Sequence, residues 1–117
     1  DLGVHNEHLT SLIPTADGLL LESNYDPDML RNGPYPEHLK ERIDSDFGHL
    51  SNPLARHLLE THAGAKLKLL ILGHLSEHNN TPELVAAGID ALLKKKTDLR
   101  PAVLVASRHG VSDVMQI

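Results

Sequence analysis

Three short apolar runs, each closing on polar residues, alternate along this chain with segments that open on a capping residue and a proline. Gly18-Leu19-Leu20-Leu21-Glu22-Ser23 is the first run, Leu67 to Leu72 before Gly73-His74 the second, and Pro101 to Ala106 before Ser107-Arg108-His109-Gly110 the third. Apolar runs of this length bounded by polar or turn residues read as strands with at least one buried face. Ser51-Asn52-Pro53, followed by Leu54, Leu58 and Leu59 and stopped by Gly64, reads as a capped helix with a proline in its first turn. Thr81-Pro82-Glu83 starts another, with Leu84, Ala87, Leu92 and Leu93 as its apolar face and Lys94-Lys95-Lys96 at its negative end. The lysine run reads as a solvated helix terminus rather than a phosphate patch. Strands alternating with helices make the class α/β, an architecture that presents functional groups at the carboxyl ends of its strands.

Between these elements the signals are weaker. His5 to Leu12 reads as a short helix, Pro14 to Gly18 as a turn, and Asp26-Pro27 as the start of a helical turn. Arg31 to Pro36, with Asn32-Gly33-Pro34, reads as a surface excursion beside the strand end, and Pro36 to about Asp46 as a lightly amphipathic helix built on Leu39 and Ile43.

With 117 residues, 40% of them apolar, the chain can bury one small core. One Phe, two Tyr and no Trp mean that this core is built from Leu, Ile, Val and Ala. A net charge of −5 argues against general coating of nucleic acid, although cations held in an acidic pocket can still meet a phosphate. The lack of cysteine leaves only His and carboxylates as metal ligands and fits a reducing compartment. No apolar stretch approaches the roughly 20 residues of a membrane span, and the first residues carry no signal pattern. A soluble cytoplasmic protein without membrane association is the expectation.

Asp1-Leu2-Gly3, Leu21-Glu22-Ser23-Asn24, Gly48-His49-Leu50-Ser51-Asn52 and Gly73-His74-Leu75-Ser76 occur in the order in which the second half of a metallo-β-lactamase-fold hydrolase carries its motifs. The strand ending Leu-Glu-Ser-Asn and the Gly-His-Leu-Ser-Asn before a helix resemble most closely the YycJ-like branch, which is related to ribonuclease Z and to phosphodiesterases. This resemblance covers nearly the whole chain. It implies the second half of an αββα four-layer sandwich, two divalent ions, zinc or manganese, and a phosphodiesterase or nuclease reaction with metal-activated water.

Residue by residue, the resemblance makes Asp1 the bridging metal ligand and His74 the final histidine ligand. It places His49 at the scissile phosphate or the leaving oxygen, with Glu22 orienting it, and suggests Asn24 and Asn52 as substrate contacts, with Asp26 ranked beside Asn24. A His can give or take a proton near neutrality, and a carboxylate behind it fixes its tautomer. The structural alternatives are plain: Glu22 as a strand-end carboxylate satisfying loop amides, His49 as a residue that holds its loop, Ser51 and Asn52 as helix caps. His5, His8, His38, His57, His62 and His78 match nothing in the family and read mostly as surface residues; Arg108 and His109 read as a polar turn after the last strand.

The His-x-His-x-Asp-His cluster of the family's first half is absent from the chain. The expectation is therefore an upstream half of the same domain as partner, with phosphodiester or nucleic acid as substrate and the chain by itself inactive. An uncovered sheet face and open edge would invite association, including a homo-oligomer. Two other functions remain open: an inactive fragment serving as a structural or interaction module, and a hydrolase of another ester or thioester, since fold does not settle substrate.

Overall fold

The computed structural model describes residues 12–43, 49–107 and 110–116. Asp1, most of the helix expected over His5 to Leu12, the end of the helix expected to run to Asp46, and the turn at Arg108 and His109 lie outside the described residues.

After a 3-10 turn at Ile13–Thr15 the chain forms β1 (Gly18–Glu22), α1 (Pro27–Asn32), α2 (Glu37–Ile43), α3 (Asn52–His62), β2 (Leu69–Gly73), α4 (Pro82–Lys95), β3 (Ala102–Ser107) and β4 (Gly110–Gln116). The strands lie in one sheet in chain order, β1, β2 and β3 parallel and β4 antiparallel to β3. The sequence ends its strands at Ala106. The fourth strand is an addition, and its Val111, Val114 and Met115 do not alternate strictly with polar residues, so no period-two signal marks it. Its pairing with β3 carries a register shift between Leu104 and Ala106.

The caps read from the sequence are the ones used. Asp26, Ser51 and Thr81 accept from the backbone N–H three residues on, at Met29 (3.0 Å), Leu54 (3.2 Å) and Leu84 (3.0 Å). Each satisfies one of the orphan donors of a first helical turn. At the far end of α4, Lys94 pairs with Asp90 at 3.0 Å and Lys95 with Glu60 at 2.8 Å. The hydrogen bond and charge of Lys95 hold the Glu60 carboxyl below its ordinary range. These are solvent-exposed contacts, as expected for a helix terminus.

One face of the sheet is dry. Leu21, Leu70, Leu72, Val103 and Val105 are buried against Ala55, Leu58 and Leu59 of α3 and Val85, Ile89, Leu92 and Leu93 of α4. The opposite face is open: Leu20 is 70% exposed, and its in-register neighbours Ile71 and Leu104 are only half-buried. Cross-strand partners in register share a face, so these three side chains form an apolar row across the sheet. Among the described residues no helix is long and apolar enough to cross a membrane.

Candidate active site

Register does the first part of the assembly. Because Leu21 pairs with Leu72 and Glu22 with Gly73, the two parallel strands end together, and Glu22 stands beside the start of the His74 loop. The next contacts extend the sheet beyond its regular strands: Ser23 N–H donates to Gly73 O, and Ser76 N–H to Asn24 O. The segment before α3 joins from the other side. Asn24 N–H donates to Leu50 O, Asn52 N–H to Tyr25 O, and Tyr25 and Ser51 form a parallel bridge. His49 is thereby held next to Glu22 from 27 residues away.

At the centre lies one carboxylate with three donors. Glu22 Oε2 is 2.8 Å from His49 Nδ1 and 2.6 Å from His74 Nδ1, while Oε1 accepts from Leu50 N–H at 2.9 Å. The Glu22 side chain is 8% exposed, but the rings of His49 and His74 are 36% and 47% exposed. The carboxylate thus forms the floor and the imidazoles the rim. The rings meet edge to face, centroids 5.0 Å apart and planes 80° apart. A histidine anchored through Nδ1 presents Nε2 on the far side of the ring, away from its anchor.

The sequence reading pairs Glu22 with His49 alone. The structure shows the same oxygen also binding His74, and shows the loop-amide role as well, through Leu50.

His74 has φ 56°, the left-handed region, and no other non-glycine among the described residues does. Side chains other than Gly, Asn and Asp enter that region at a cost of about 1–2 kcal/mol. Asn24 holds it there: its Nδ2 donates to His74 O at 2.7 Å.

Asn24 and Asn52, suggested as substrate contacts, are both tied by hydrogen bonds into the protein. Both are buried, at 6% and 3% exposure. Asn52 Oδ1 accepts from Ser23 Oγ at 2.6 Å and from Asn80 Nδ2 at 2.9 Å, and its Nδ2 donates to Asn80 Oδ1. Asn80 also donates to Ser23 O and accepts from Thr81 N–H. Buried amides closed on one another in this way join the β1 end, the α3 start and the α4 start. Asp26 is the cap of α1, and its N–H donates to Asn79 O. Ser23 lies within the Leu21-Glu22-Ser23-Asn24 motif but carries no role there, and Asn79 and Asn80 have no recognisable spacing in the sequence, so only contact reveals what these three do. Asp1 lies outside the described residues.

Glu22, His49 and His74 are also the group among the described residues whose ligand atoms converge within 4.8 Å. Imidazole nitrogen with carboxylate oxygen suits zinc or manganese and gives no preference for soft thiophilic ions. These donor types are ones a divalent cation accepts, with Glu22 Oε2 here engaged by both Nδ1 atoms and the Nε2 atoms left for a ligand.

No family model and no solved structure matches the chain. Among curated proteins it is 42% identical over 84 residues to the exodeoxyribonuclease WalJ of two Streptococcus pneumoniae strains, which covers 72% of this chain and 31% of that protein. It is 35% identical over 96 residues to the exodeoxyribonuclease YycJ of Bacillus anthracis, covering 82% of this chain and 36% of that protein. The chain thus spans about a third of the length of the curated relatives it matches. With identity at this level over most of the residues present, the chain belongs to the YycJ/WalJ family of metallo-β-lactamase-fold proteins.

Proposed function

We propose that this chain supplies one side of a metal-dependent exodeoxyribonuclease site, completed by an upstream half of the same domain that carries the His-x-His-x-Asp-His cluster. The relatives named exodeoxyribonucleases are about three times as long as the matched segment, which leaves room for that half. The open row of Leu20, Ile71 and Leu104 is the kind of face a second sheet covers in an αββα sandwich.

The observation that carries the proposal is the sharing of Glu22 Oε2 by both histidines. It supports both Nδ1 atoms as the inward donors, which leaves both Nε2 atoms as the outward atoms available for chemistry. In this reading His74 Nε2 and Asp1 would hold a divalent ion, and Glu22 is the supporting carboxylate behind His74, an arrangement that orients the ring and raises its basicity as a ligand. Bound zinc or manganese ions supply charge neutralisation at the phosphate and a water acidic enough to act as nucleophile. His49 Nε2 faces the scissile phosphate and passes a proton to the departing oxygen, while Glu22 keeps the other nitrogen occupied. Asn24, through the His74 carbonyl, holds the strained loop that aims the ligand.

The test compares two variants of the longer protein that contains this chain. His49→Ala is expected to lower the turnover of linear DNA by about 100-fold or more with metal content unchanged in native mass spectrometry. His74→Ala is expected to lose metal. Unchanged turnover in His49→Ala would remove it from the reaction and leave the cluster as a structural tie between three segments, which is the interaction-module reading.

A further inference from the structure

Each of the three segments that bring a side chain to the site also buries a polar residue. Ser23 follows Glu22 directly, Asn52 lies a few residues after His49 at the start of α3, and Asn80 follows the His74 loop just before α4. Asn52 and Asn80 face each other amide to amide: Asn80 Nδ2 donates to Asn52 Oδ1 and Asn52 Nδ2 donates to Asn80 Oδ1, both at 2.9 Å. The direction of these bonds is set from outside the pair. Thr81 N–H can only donate, so the Asn80 atom it meets at 2.9 Å is Oδ1; Ser23 O can only accept, so the Asn80 atom it meets at 2.9 Å is Nδ2. Asn80 thus uses both of its donor hydrogens and both of its acceptor positions inside the protein.

The His49 segment and the His74 segment are each bonded separately to the end of β1, through Leu50 O and Ser76 N–H. The amide pair joins these two segments to each other, and the Asn80 bond to Ser23 O adds β1 to the same knot. The rings themselves are weak spacers, because both are partly exposed and water competes for their bonds to Glu22. A buried amide pair has no water to turn to. Any slip of one helix start against the other leaves donors and acceptors without partners, so the geometry is held closely.

From this placement we propose that Asn52 and Asn80 are positioning residues for the reaction: their amide pair sets where His49, the proton donor, stands relative to His74. The inference rests on the nuclease reading above and adds two residues that act through His49 without touching the substrate. Proton transfer requires His49 Nε2 within hydrogen-bond reach of the departing oxygen, and a misplacement of about 1 Å can cost about 100-fold in rate.

Asn80→Asp keeps the shape of the side chain and makes the pair sensitive to pH. As a carboxylate it turns an oxygen toward Ser23 O and Asn52 Oδ1, both acceptors, and the pair opens. Protonated, its O–H donates to Asn52 Oδ1 and the pair closes; burial favours that form as pH falls. The experiment measures kcat and KM on linear DNA, and bound metal, for the longer protein from about pH 6 to about pH 9, at a temperature where circular dichroism shows the variants folded. Relative to the parent at the same pH, Asn80→Asp is expected to lower kcat about tenfold or more at the alkaline end and less than about threefold at the acid end, with KM and metal content within about twofold throughout. Asn80→Ala, which introduces no charge, is expected to show the alkaline loss at every pH and covers the case in which Asn80→Asp does not fold. In a His49→Ala background either substitution is expected to change kcat by less than about twofold, since a histidine that is absent cannot be misplaced. An unchanged kcat, a loss that falls on KM or metal content instead, or a full tenfold loss added to that of His49→Ala would overturn the positioning role and leave the nuclease reading standing. No cleavage of DNA by the parent protein overturns both.

Discussion

Glu22 meets its three donors with two oxygens, and the division of labour between them makes a sharp substitution available. Oε1 serves the backbone at Leu50; Oε2 serves both imidazoles. In Glu22→Gln the amide carbonyl can keep the Leu50 bond, so the loop stays in place, but the NH2 group then faces two Nδ1 donors and can accept from neither. Under the proposed assignment the metal affinity of the longer protein falls by about 10- to 100-fold, measured by calorimetric titration. Equal affinity would mean that Glu22 ties the loop and does not orient His74. Asn24 acts at the same scale, its Nδ2 holding the carbonyl of a residue in left-handed backbone.

Among the elements, the starts of α1 and α3 hold the site. α1 has six residues and α3 eleven, yet each begins with a side-chain cap directly after a residue run that lines the strand end. Asp26 follows the Asn24 and Tyr25 pairings, and Ser51 follows His49 and Leu50, so a cap that fixes where the helix starts also fixes the loop before it. The end of α1 is equally constrained. Gly33 caps it with backbone φ −83°, a conformation open to any residue, so the demand for glycine is one of space alone. Gly33→Ala is expected to cost about 1–3 kcal/mol, because the close atom at 2.9 Å is a backbone oxygen that cannot rotate away. A urea titration checks it; a midpoint equal to the parent's would show that the loop has room to retreat.

For the whole molecule, the asymmetry of the sheet is the dominant fact. One face is sealed by α3 and α4, while Leu20 on the other is 70% exposed beside Ile71 and Leu104. If an upstream half covers this face, Leu20→Glu buries a carboxylate at a sheet interface and destabilises the longer protein by about 2–4 kcal/mol, read from its unfolding midpoint. A change within about 0.5 kcal/mol, the usual result at a surface position, would argue that the face stays open.

Much of this architecture is legible one residue at a time. Apolar runs ending in polar residues mark β1, β2 and β3, and Asp26, Ser51 and Thr81 mark the helix starts, because strand period and capping depend on neighbours within three or four positions. The motifs likewise bring Glu22, His49 and His74 forward as residues of one site. Contact over distance decided the rest. Glu22 meets His49 across 27 residues, and Asn24 reaches His74 O across 50. That both histidines share one oxygen, that Asn24 and Asn52 turn inward, and that a fourth strand joins the sheet are consequences of register and packing. No local propensity encodes them, since a buried amide or an irregular strand takes its partner from whatever the folded chain places opposite it.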